Sequence, residues 1–350
     1  MNRKIRWAII GIGKYSPQRG GLNAIAYAHA EAIKRNSDKF ELVAGASLEQ
    51  QNLDDFKKEY PCNTYLDMNE LFQKEQPDGV TISTYAAARE EHVIAAIHAG
   101  VKFILIEKPL ALSLKAIGHM ESEAQKYGAR LFVNFQRRYG APFRWAKEAV
   151  LSGKIGKVLH IDLRQPFSNS LDFGPHFINS ALYFIDEQMP VSLIASADGM
   201  HEIPWHGMMT EKSMEASLKF NDQLRITFSA SPELSMDRPL IRINGEDGFI
   251  ELYMSKNEGM NSVYRCCNAA GIENPVTSEN FHHGDEDRFL YFEYCYRDIA
   301  NAVQTGGSTL VDAGYGIRTQ RILLALYASA QTHQRIVFGE NEEDPEFRFL

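Results

Sequence analysis

Two short stretches of the sequence contain side chains that could transfer protons and stabilise charge. In "LIEKPLALS", Lys108 and Pro109 close a strongly apolar run. In "SLDFGPHFINSALYF", Asp172 and His176 are four positions apart, so both lie on one face if a single helix includes them. If the helix instead starts at Pro175, a favoured first-turn residue, Asp172 precedes the helix but remains close. A histidine beside a carboxylate can act in proton transfer near neutral pH.

Both stretches also have a purely structural interpretation. Lys108 and its neighbour Glu107 could form a solvent-exposed ion pair before a turn, and a histidine among apolar residues is more often a buried structural group than a catalyst. However, a charged pair that ends an apolar strand and is followed by proline is unusual at a surface corner. Pro109 would fix a turn that directs Lys108 towards the carboxyl edge of a sheet, where open α/β folds bind ligands.

A glycine turn follows the first apolar run of the chain. Gly11 and Gly13 match the start of a dinucleotide fingerprint, but Ser16 stands where the third glycine belongs, and residues 14–21 delay the helix. Backbone amides and a helix start at this place can hold a pyrophosphate. The pattern predicts a pyrophosphate turn with an inserted loop between strand and helix, although glycines that end a strand can also mark a tight connection and nothing more.

The end of the second apolar run does not decide between NAD and NADP. Ser47 occupies the position where a carboxylate would select the ribose of NAD, and no arginine follows it to bind a ribose phosphate. Either cofactor is therefore expected. The predicted cofactor-binding residues are Gly11, Ile12, Gly13, Lys14, Ser47, Thr84, His92, Glu107 and Lys108.

The elements that must position these residues follow an alternating pattern. Up to residue 133, short β-rich apolar runs alternate with segments of helical period, which predicts a doubly wound parallel sheet of the Rossmann type. Asp67 is a predicted helix N-cap, and Gly100 and Gly128 are predicted helix ends. Residues 134–350 are expected to form an α+β domain on a largely antiparallel, open-faced sheet. Substrate binding and oligomerisation are the expected roles of this domain.

Composition narrows the class of partner. The chain has 350 residues and a formal net charge of -8, without the basic tract of a nucleic-acid-binding protein. The apolar stretches are too short to cross a membrane and no cleavage pattern follows the first, so a cytoplasmic protein is expected. The cysteine spacing fits neither a disulfide framework nor a zinc site. Reduced thiols are expected at Cys62, Cys266, Cys267 and Cys295, and no metal is predicted.

The order of these motifs resembles the Gfo/Idh/MocA oxidoreductases. A Rossmann domain with an Ala-His helix start, a strand ending Glu-Lys-Pro, an Asp-x-Gly-x-His motif and a sheet-rich second domain follow one another over nearly the whole chain. "NFQRRYGAPFRWAKEAVLSGKIGKV" and "INGEDGFIELY" are also similar to family segments. The resemblance implies that Lys108, Asp172 and His176 line the site beside the nicotinamide. Asn179 departs from the family, which often has an aspartate there.

The resemblance implies hydride transfer between NAD or NADP and a secondary alcohol or ketone of a sugar, polyol or nucleotide sugar. His176 would accept the hydroxyl proton and Lys108 would stabilise the alkoxide, while Asp172 would orient the substrate or tune the other two groups. Arg137, Arg138 and Asn179 are the predicted substrate-binding residues, since arginine suits carboxylate and phosphate groups. An ion-paired linker is an equally good interpretation of the two arginines. Weaker candidates are Asn169, Trp205, His206, His282 and His283. A dinucleotide-binding regulator and an NAD-dependent glycosidase stay open as alternatives, and a homodimer or homotetramer is expected.

Overall fold

A computed structural model describes most of the chain and divides it into two compact units. The described residues are 3–14, 25–221, 223–236, 239–253, 263–268, 271–272 and 289–339. The first unit comprises residues 1–111, 115–136 and 289–317, and the second comprises residues 112–114, 137–288 and 318–350.

Helices occur in both units. In chain order they are α1 (Ile25–Arg35), α2 (Gln50–Glu59), α3 (Met68–Glu75), α4 (Arg89–His98), α5 (Leu114–Tyr127), α6 (Ala141–Leu151), α7 (Ser170–Phe184), α8 (Leu290–Thr305) and α9 (Ala313–Thr332). In the part of the chain that is described, no helix is both long and apolar enough to cross a membrane.

The strands form one large sheet in each unit and a separate two-stranded hairpin. The first six are β1 (Ile5–Ile10), β2 (Phe40–Ala46), β3 (Asn63–Tyr65), β4 (Gly79–Ile82), β5 (Phe103–Ile106) and β6 (Arg130–Val133). The next six are β7 (Val158–Gln165), β8 (Ser192–Asp198), β9 (Ile203–Trp205), β10 (Met208–Thr210), β11 (Ser213–Lys219) and β12 (Arg225–Ala230). The last are β13 (Leu240–Gly245), β14 (Gly248–Tyr253), β15 (Val263–Asn268), β16 (Gly271–Ile272) and β17 (Ile336–Val337).

The sheet of the first unit confirms the predicted Rossmann-type architecture. Its strand order is β3-β2-β1-β4-β5-β6, and every pairing in it is parallel. The order reverses between β1 and β4, which makes the carboxyl ends of these two strands the switch point where such sheets bind ligands. The sequence pattern did not indicate β3, because three residues are too few to show a period.

Local signals in the first unit match the backbone. The Asp67 side chain accepts a hydrogen bond from the Asn69 amide and caps α3, as predicted. Gly100, which follows the C-cap residue of α4, and Gly128, which directly follows α5, adopt φ angles of +86° and +65°. These left-handed positions favour glycine, so the two helix ends agree with the sequence.

Helix α8 lies far along the chain but belongs to the first unit. The Tyr296 ring packs edge-on against Trp7 of β1 and Phe40 of β2, with centroid distances of 5.6 and 5.5 Å. All three side chains are buried. A division of the sequence at residue 133 places α8 with the later domain, whereas this aromatic cluster joins it to the parallel sheet.

The second unit contains the predicted, largely antiparallel sheet. Its order is β16-β15-β14-β13-β7-β12-β11-β8-β17, and β7 with β12 is its parallel pair among the described strands. Along β11, buried Met214, Ala216 and Leu218 alternate with exposed residues. The buried face packs against apolar side chains of α7 and α9, including Phe177 and Leu323. The opposite face carries the polar side chains, as an open-faced sheet requires.

Close packing at Gly79 gives a stability prediction. An added Cβ there would overlap the Trp7 indole ring, so Gly79→Ala should destabilise the protein by about 1–3 kcal/mol through overpacking. Gly118→Ala is the matched control: Gly118 lies inside α5 with open space around it, and alanine should stabilise the helix by about 0.5–1 kcal/mol. Urea unfolding measures both changes. Equal stability of the two variants would contradict the packing at Trp7.

Candidate active site

The switch point of the first unit has the shape of a dinucleotide turn. Gly11 follows β1 with a φ angle of +95°, and a Cβ added to it would lie 2.7 Å from the Thr84 amide nitrogen. Gly11 therefore cannot be replaced without moving the β4 end. A cradle that only glycine leaves open is what the backbone needs to approach a pyrophosphate, so these residues fit a dinucleotide. Lys14 is exposed beside it, and the rest of the predicted inserted loop lies outside the described residues.

Ser47 supports the glycine turn from the end of β2. Its hydroxyl donates a hydrogen bond to the Ile12 carbonyl at 2.7 Å, and the Asn52 side-chain amide donates to the same carbonyl at 3.4 Å. Ile12 is buried against Gly45, where a Cβ would displace its side chain. The residue in the ribose-selecting position thus fixes the turn, and Asn52 adds a support that the sequence did not indicate.

The end of β4 places Thr84 and His92 together. The Thr84 hydroxyl and His92 Nδ1 are 2.9 Å apart. Burial lowers the pKa of His92, which keeps its imidazole neutral near pH 7. The Arg89 guanidinium donates to the Thr84 carbonyl at 2.9 Å and also to the Pro109 carbonyl, so it connects the β4 end with the turn after β5.

Sequence reasoning missed Arg89, although one signal was available. Arg89 is the first residue of α4, where the helix macrodipole disfavours a cation. It is also only 5 % exposed. A buried arginine at a helix start must be held by oxygens from elsewhere in the fold, which the Thr84 and Pro109 carbonyls supply.

Glu107 is a buried carboxylate at the end of β5. It accepts hydrogen bonds from His29 Nε2 at 2.9 Å, from the Asn134 side-chain amide at 2.6 Å and from the Lys108 backbone amide at 3.1 Å. Burial alone would raise the pKa of Glu107, but the hydrogen bonds and charges around it outweigh burial and lower it. Glu107 is therefore ionised and fixes the backbone of Lys108, whose peptide bond to Pro109 is cis.

In the second unit, α7 includes both Asp172 and His176. The helix begins at Ser170, so the two side chains lie one turn apart on one face, and the alternative start at Pro175 is wrong. The Asn169 side chain accepts a hydrogen bond from the Asp172 amide at 3.1 Å and caps the helix, with a left-handed φ of 71°. His176 is 1 % exposed. Its position is thus fixed by a capped and packed helix.

A second buried carboxylate holds the start of this helix. Glu211 accepts hydrogen bonds from the Ser170 amide at 2.5 Å and from the Tyr327 hydroxyl at 2.6 Å, and is fully buried. Burial, together with the Glu211 charge, raises the pKa of Tyr327, so the phenol stays a donor. The Gln165 side-chain amide donates to three carbonyls of the preceding loop, including that of Asn169. The Glu211 contacts join residues 41 and 116 positions apart, and no sequence signal identified them.

The predicted substrate-binding residues lie on two sides of α7. The Arg137 guanidinium stacks over the Phe173 ring at 4.8 Å, and this ring lies edge-on to His176 at 5.6 Å. Arg138 is buried, donates to the Asn179 side-chain oxygen at 2.7 Å and pairs with Glu187 at 2.8 Å.

Asn179 belongs to the same buried cluster as Arg138. It donates in turn to the Thr319 hydroxyl at 2.9 Å. Asn179 therefore links α7 to Arg138 and to α9, whereas Arg137 lies beside the helix face that carries His176.

Among the weaker candidates, Asn169 caps α7, and Trp205 and His206 lie at the hairpin of β9 and β10. The rings of Trp205, at the end of β9, and His206, in the turn after it, have centroids 4.8 Å apart and planes inclined by 56°. His282 and His283 lie outside the described residues. Among the described histidines, cysteines and carboxylates, no group of three could hold a metal ion.

The two units together define a dinucleotide-binding α/β protein with a sheet-rich second unit. The chain belongs to the Gfo/Idh/MocA oxidoreductase family: residues 5–135 match the family's NAD-binding Rossmann fold, and residues 147–338 match its C-terminal alpha/beta domain. The family resemblance and the NAD-binding class of the first domain are confirmed.

Curated relatives align with less than half of this chain. The myo-inositol 2-dehydrogenase of Thermotoga maritima is 33% identical over 173 residues, which cover 47% of this chain and 51% of the relative. The glucose-6-phosphate 3-dehydrogenase of Bacillus subtilis is 28% identical over 141 residues, covering 40% and 39%. The 2,7-anhydro-N-acetylneuraminate hydratase of Mediterraneibacter gnavus is 26% identical over 158 residues, covering 45% and 38%. The chain spans about half the length of these relatives or less.

Solved structures share the fold over nearly the full chain. The WlbA dehydrogenase of Bordetella pertussis, crystallised with NADH and UDP-GlcNAcA, has a TM-score of 0.77 at 18% identity and covers 97% of this chain and 100% of its own. The myo-inositol 2-dehydrogenase of Lactobacillus plantarum has a TM-score of 0.75 at 22% identity and covers 96% and 100%. At these identities the likeness establishes the fold.

The Glu211 cluster gives a second stability prediction. Glu211→Gln removes the charge that accepts the Ser170 and Tyr327 hydrogen bonds, so it should destabilise the protein by about 1.5–3 kcal/mol. Glu215→Gln is the control, because that exposed carboxylate on β11 accepts from Ser229 at the surface and should change stability by at most about 0.5 kcal/mol. Urea unfolding compares the two. Equal effects would mean that the carboxylate does not hold the helix start.

Proposed function

We propose that this protein is an NAD- or NADP-dependent oxidoreductase that transfers a hydride between nicotinamide and a secondary alcohol or ketone of a sugar, polyol or nucleotide sugar. One observation carries the proposal: a family member with an NAD-binding sheet keeps Asp172 and His176 one turn apart on a capped helix. The names of the relatives, which include inositol, glucose-phosphate and nucleotide-sugar enzymes, support a carbohydrate-like substrate.

The proposed catalytic residues are Lys108, Asp172 and His176. His176 takes the hydroxyl proton as the carbon–hydrogen bond breaks, and returns it in the reverse direction. The Lys108 ammonium stabilises the negative charge that develops on the oxygen. Asp172, one turn from His176, orients the substrate hydroxyl. Arg137, beside Phe173 and His176, contacts further substrate oxygens. The buried Arg138–Asn179 pair supports α7, the helix that carries His176.

The proposed cofactor site lies at the switch point of the parallel sheet. Bound NAD or NADP supplies the acceptor or donor of the hydride. Gly11, Ile12, Gly13 and Lys14 approach the pyrophosphate, with Ser47 behind the turn. Thr84, His92, Glu107 and Lys108 complete the proposed set at the ends of the next strands. In this proposal residues 1–133 bind the cofactor, and residues 134–350 bind substrate and form the oligomer.

A second candidate activity is transient oxidation within an elimination or hydrolysis. The similarity to a 2,7-anhydro-N-acetylneuraminate hydratase favours this candidate, because a hydratase carries out no net oxidation. Lys108, Asp172 and His176 would act in this reaction as well, and the hydride would be returned to the product. Net NADH formation separates a dehydrogenase from this alternative. A regulator without catalysis would not need Lys108, Asp172 and His176.

The proposed partners are a small carbohydrate-like substrate and further copies of this chain, as a homodimer or homotetramer. The polar open face of the nine-stranded sheet is the proposed contact surface. The cytoplasmic location stays a prediction.

Replacing the proposed catalytic residues should separate turnover from cofactor binding. His176→Ala and Lys108→Ala should each lower kcat by about 100-fold to 10,000-fold, because a positioned proton acceptor or charge is lost. The rate of NADH formation is measured at 340 nm with myo-inositol, glucose 6-phosphate and a panel of nucleotide sugars. His98→Ala is the control, since His98 pairs with Glu123 at the surface of α4 and should keep full activity. Full turnover in either catalytic variant would refute the assignment.

Cofactor binding should appear as thermal stabilisation. A dinucleotide at 100 times its Kd should stabilise the folded state by about 2.7 kcal/mol. NAD, NADH, NADP and NADPH are compared in parallel by thermal unfolding, which also decides the preference. Gly11→Ala should abolish the shift because its Cβ meets Thr84. Gly100→Ala is the control: Gly100 has a similar left-handed backbone conformation but open space around it, so this variant should retain the cofactor-induced thermal shift. No shift with any cofactor would favour a degenerate site.

A further inference from the structure

A buried chain of polar side chains extends from the core of the parallel sheet to the turn that carries Lys108. Each neighbouring pair is within hydrogen-bond distance, and the side chains come from β1, β4, α8, α1, and the ends of β5 and β6. The links are Trp7 to Thr81 at 2.9 Å, Thr81 to Tyr296 at 2.6 Å, Tyr296 to His29 at 3.1 Å, His29 to Glu107 at 2.9 Å and Asn134 to Glu107 at 2.6 Å. All are at most 3 % exposed. We name these six residues the Glu107 chain.

The hydrogen-bond partners assign one direction to the whole chain. The Trp7 indole can only donate, so the Thr81 hydroxyl accepts from it and donates to Tyr296. The Tyr296 hydroxyl then donates to His29 Nδ1, and His29 Nε2–H donates to the Glu107 carboxylate. In this direction, every donated proton in the chain has an acceptor.

The reverse assignment does not satisfy the chain. If His29 Nδ1–H donated to Tyr296 instead, the Tyr296 hydroxyl would donate to Thr81. The Thr81 oxygen would receive two hydrogen bonds, from Tyr296 and Trp7, and its own proton would have no acceptor within the chain. A buried donor without an acceptor is costly, so the first assignment holds.

The chain ends on the backbone of Lys108. The second oxygen of Glu107 accepts the Lys108 amide at 3.1 Å, while Arg89 donates to the carbonyl of the following Pro109. The backbone on either side of the Lys108 side chain is therefore held by two charged groups. The orientation of Glu107 depends on His29, because Asn134 and His29 both donate to the same oxygen and leave the other for Lys108.

We propose that His29 and Tyr296 are positioning residues for Lys108: they orient the Glu107 carboxylate, which fixes the Lys108 backbone. The inference rests on the proposed function only in giving Lys108 a catalytic role. Neither residue contacts the reacting atoms in this account. Both act through Glu107, from a helix near the start of the chain and a helix near its end.

The test compares two substitutions of His29. His29→Leu removes both ring nitrogens, whereas His29→Gln can donate its amide N–H to Glu107 as Nε2 does. Amide hydrogen exchange of the peptide spanning residues 107–111 is measured by mass spectrometry, since Lys108 N–H is the group that Glu107 holds. His29→Leu should raise this exchange rate about 10-fold or more, and His29→Gln should stay within about 3-fold of the wild type. Exchange in β11 of the second unit reports global destabilisation.

A milder pair of variants covers the case in which His29→Leu does not fold. Tyr296→Phe removes only the hydroxyl that donates to His29. The control, Tyr27→Phe, removes a buried hydroxyl from α1, the helix that carries His29, where the Tyr27 ring packs on Phe56. Tyr296→Phe should raise exchange at residues 107–111, and Tyr27→Phe should not. Equal exchange at residues 107–111 in both variants, or in both His29 variants, would overturn the proposal.

Kinetics with NAD and myo-inositol as the probe separate this inference from the proposed function. His29→Leu should lower kcat about 10-fold to 100-fold, and it should have no further effect on a Lys108→Ala background. Full turnover of Lys108→Ala refutes the proposed function, whatever the exchange shows. Loss of turnover in Lys108→Ala with unchanged exchange in His29→Leu refutes the positioning role alone.

Discussion

The buried, ionised carboxylate of Glu107 constrains the arrangement of the side chains around it in the first unit. A buried charge without partners is unstable, so the fold must bring hydrogen-bond donors to Glu107 from elsewhere in the chain. The donors are a ring nitrogen from α1, a side-chain amide after β6 and the backbone amide of Lys108. Their combined effect exceeds the cost of burial, which is why the pKa of Glu107 falls. The backbone at Lys108, just after the end of β5, is thereby fixed.

The second unit also contains a buried carboxylate that is held by hydrogen-bond donors from distant parts of the chain. Glu211 is buried at the start of α7 and accepts from a backbone amide and the Tyr327 phenol. In both units, a buried acid fixes the backbone close to a proposed catalytic residue: Lys108 in one and Asp172 in the other. Partners held this way cannot relax independently, because each donor left alone in the interior would be costly. Precise placement and stability thus come from the same contacts.

Short-range patterns in the sequence were sufficient for the architecture but not for these contacts. Alternating apolar runs, the glycine turn and the Asp67 cap are local signals, and each agrees with the structure. The pairing of His29 with Glu107 joins residues 78 positions apart, and nothing in either segment indicates its partner. The start of α7 was ambiguous because Pro175 favours a helix start, whereas the cap from Asn169 is decisive only once the loop before it is folded. The site assignments that rest on the family resemblance stay predictions.

The return of α8 to the parallel sheet has a consequence for how this protein can be divided. Tyr296 fills the space between Trp7 and Phe40 and also completes the hydrogen bonds of His29 and Thr81. A fragment cut after the sixth strand would expose that aromatic surface to water, and His29 and Thr81 would each lose the hydrogen bond to Tyr296. The nucleotide-binding unit is consequently not contained in one continuous segment of the chain. A fragment meant to fold as this unit must also include α8, which begins more than a hundred residues after β6.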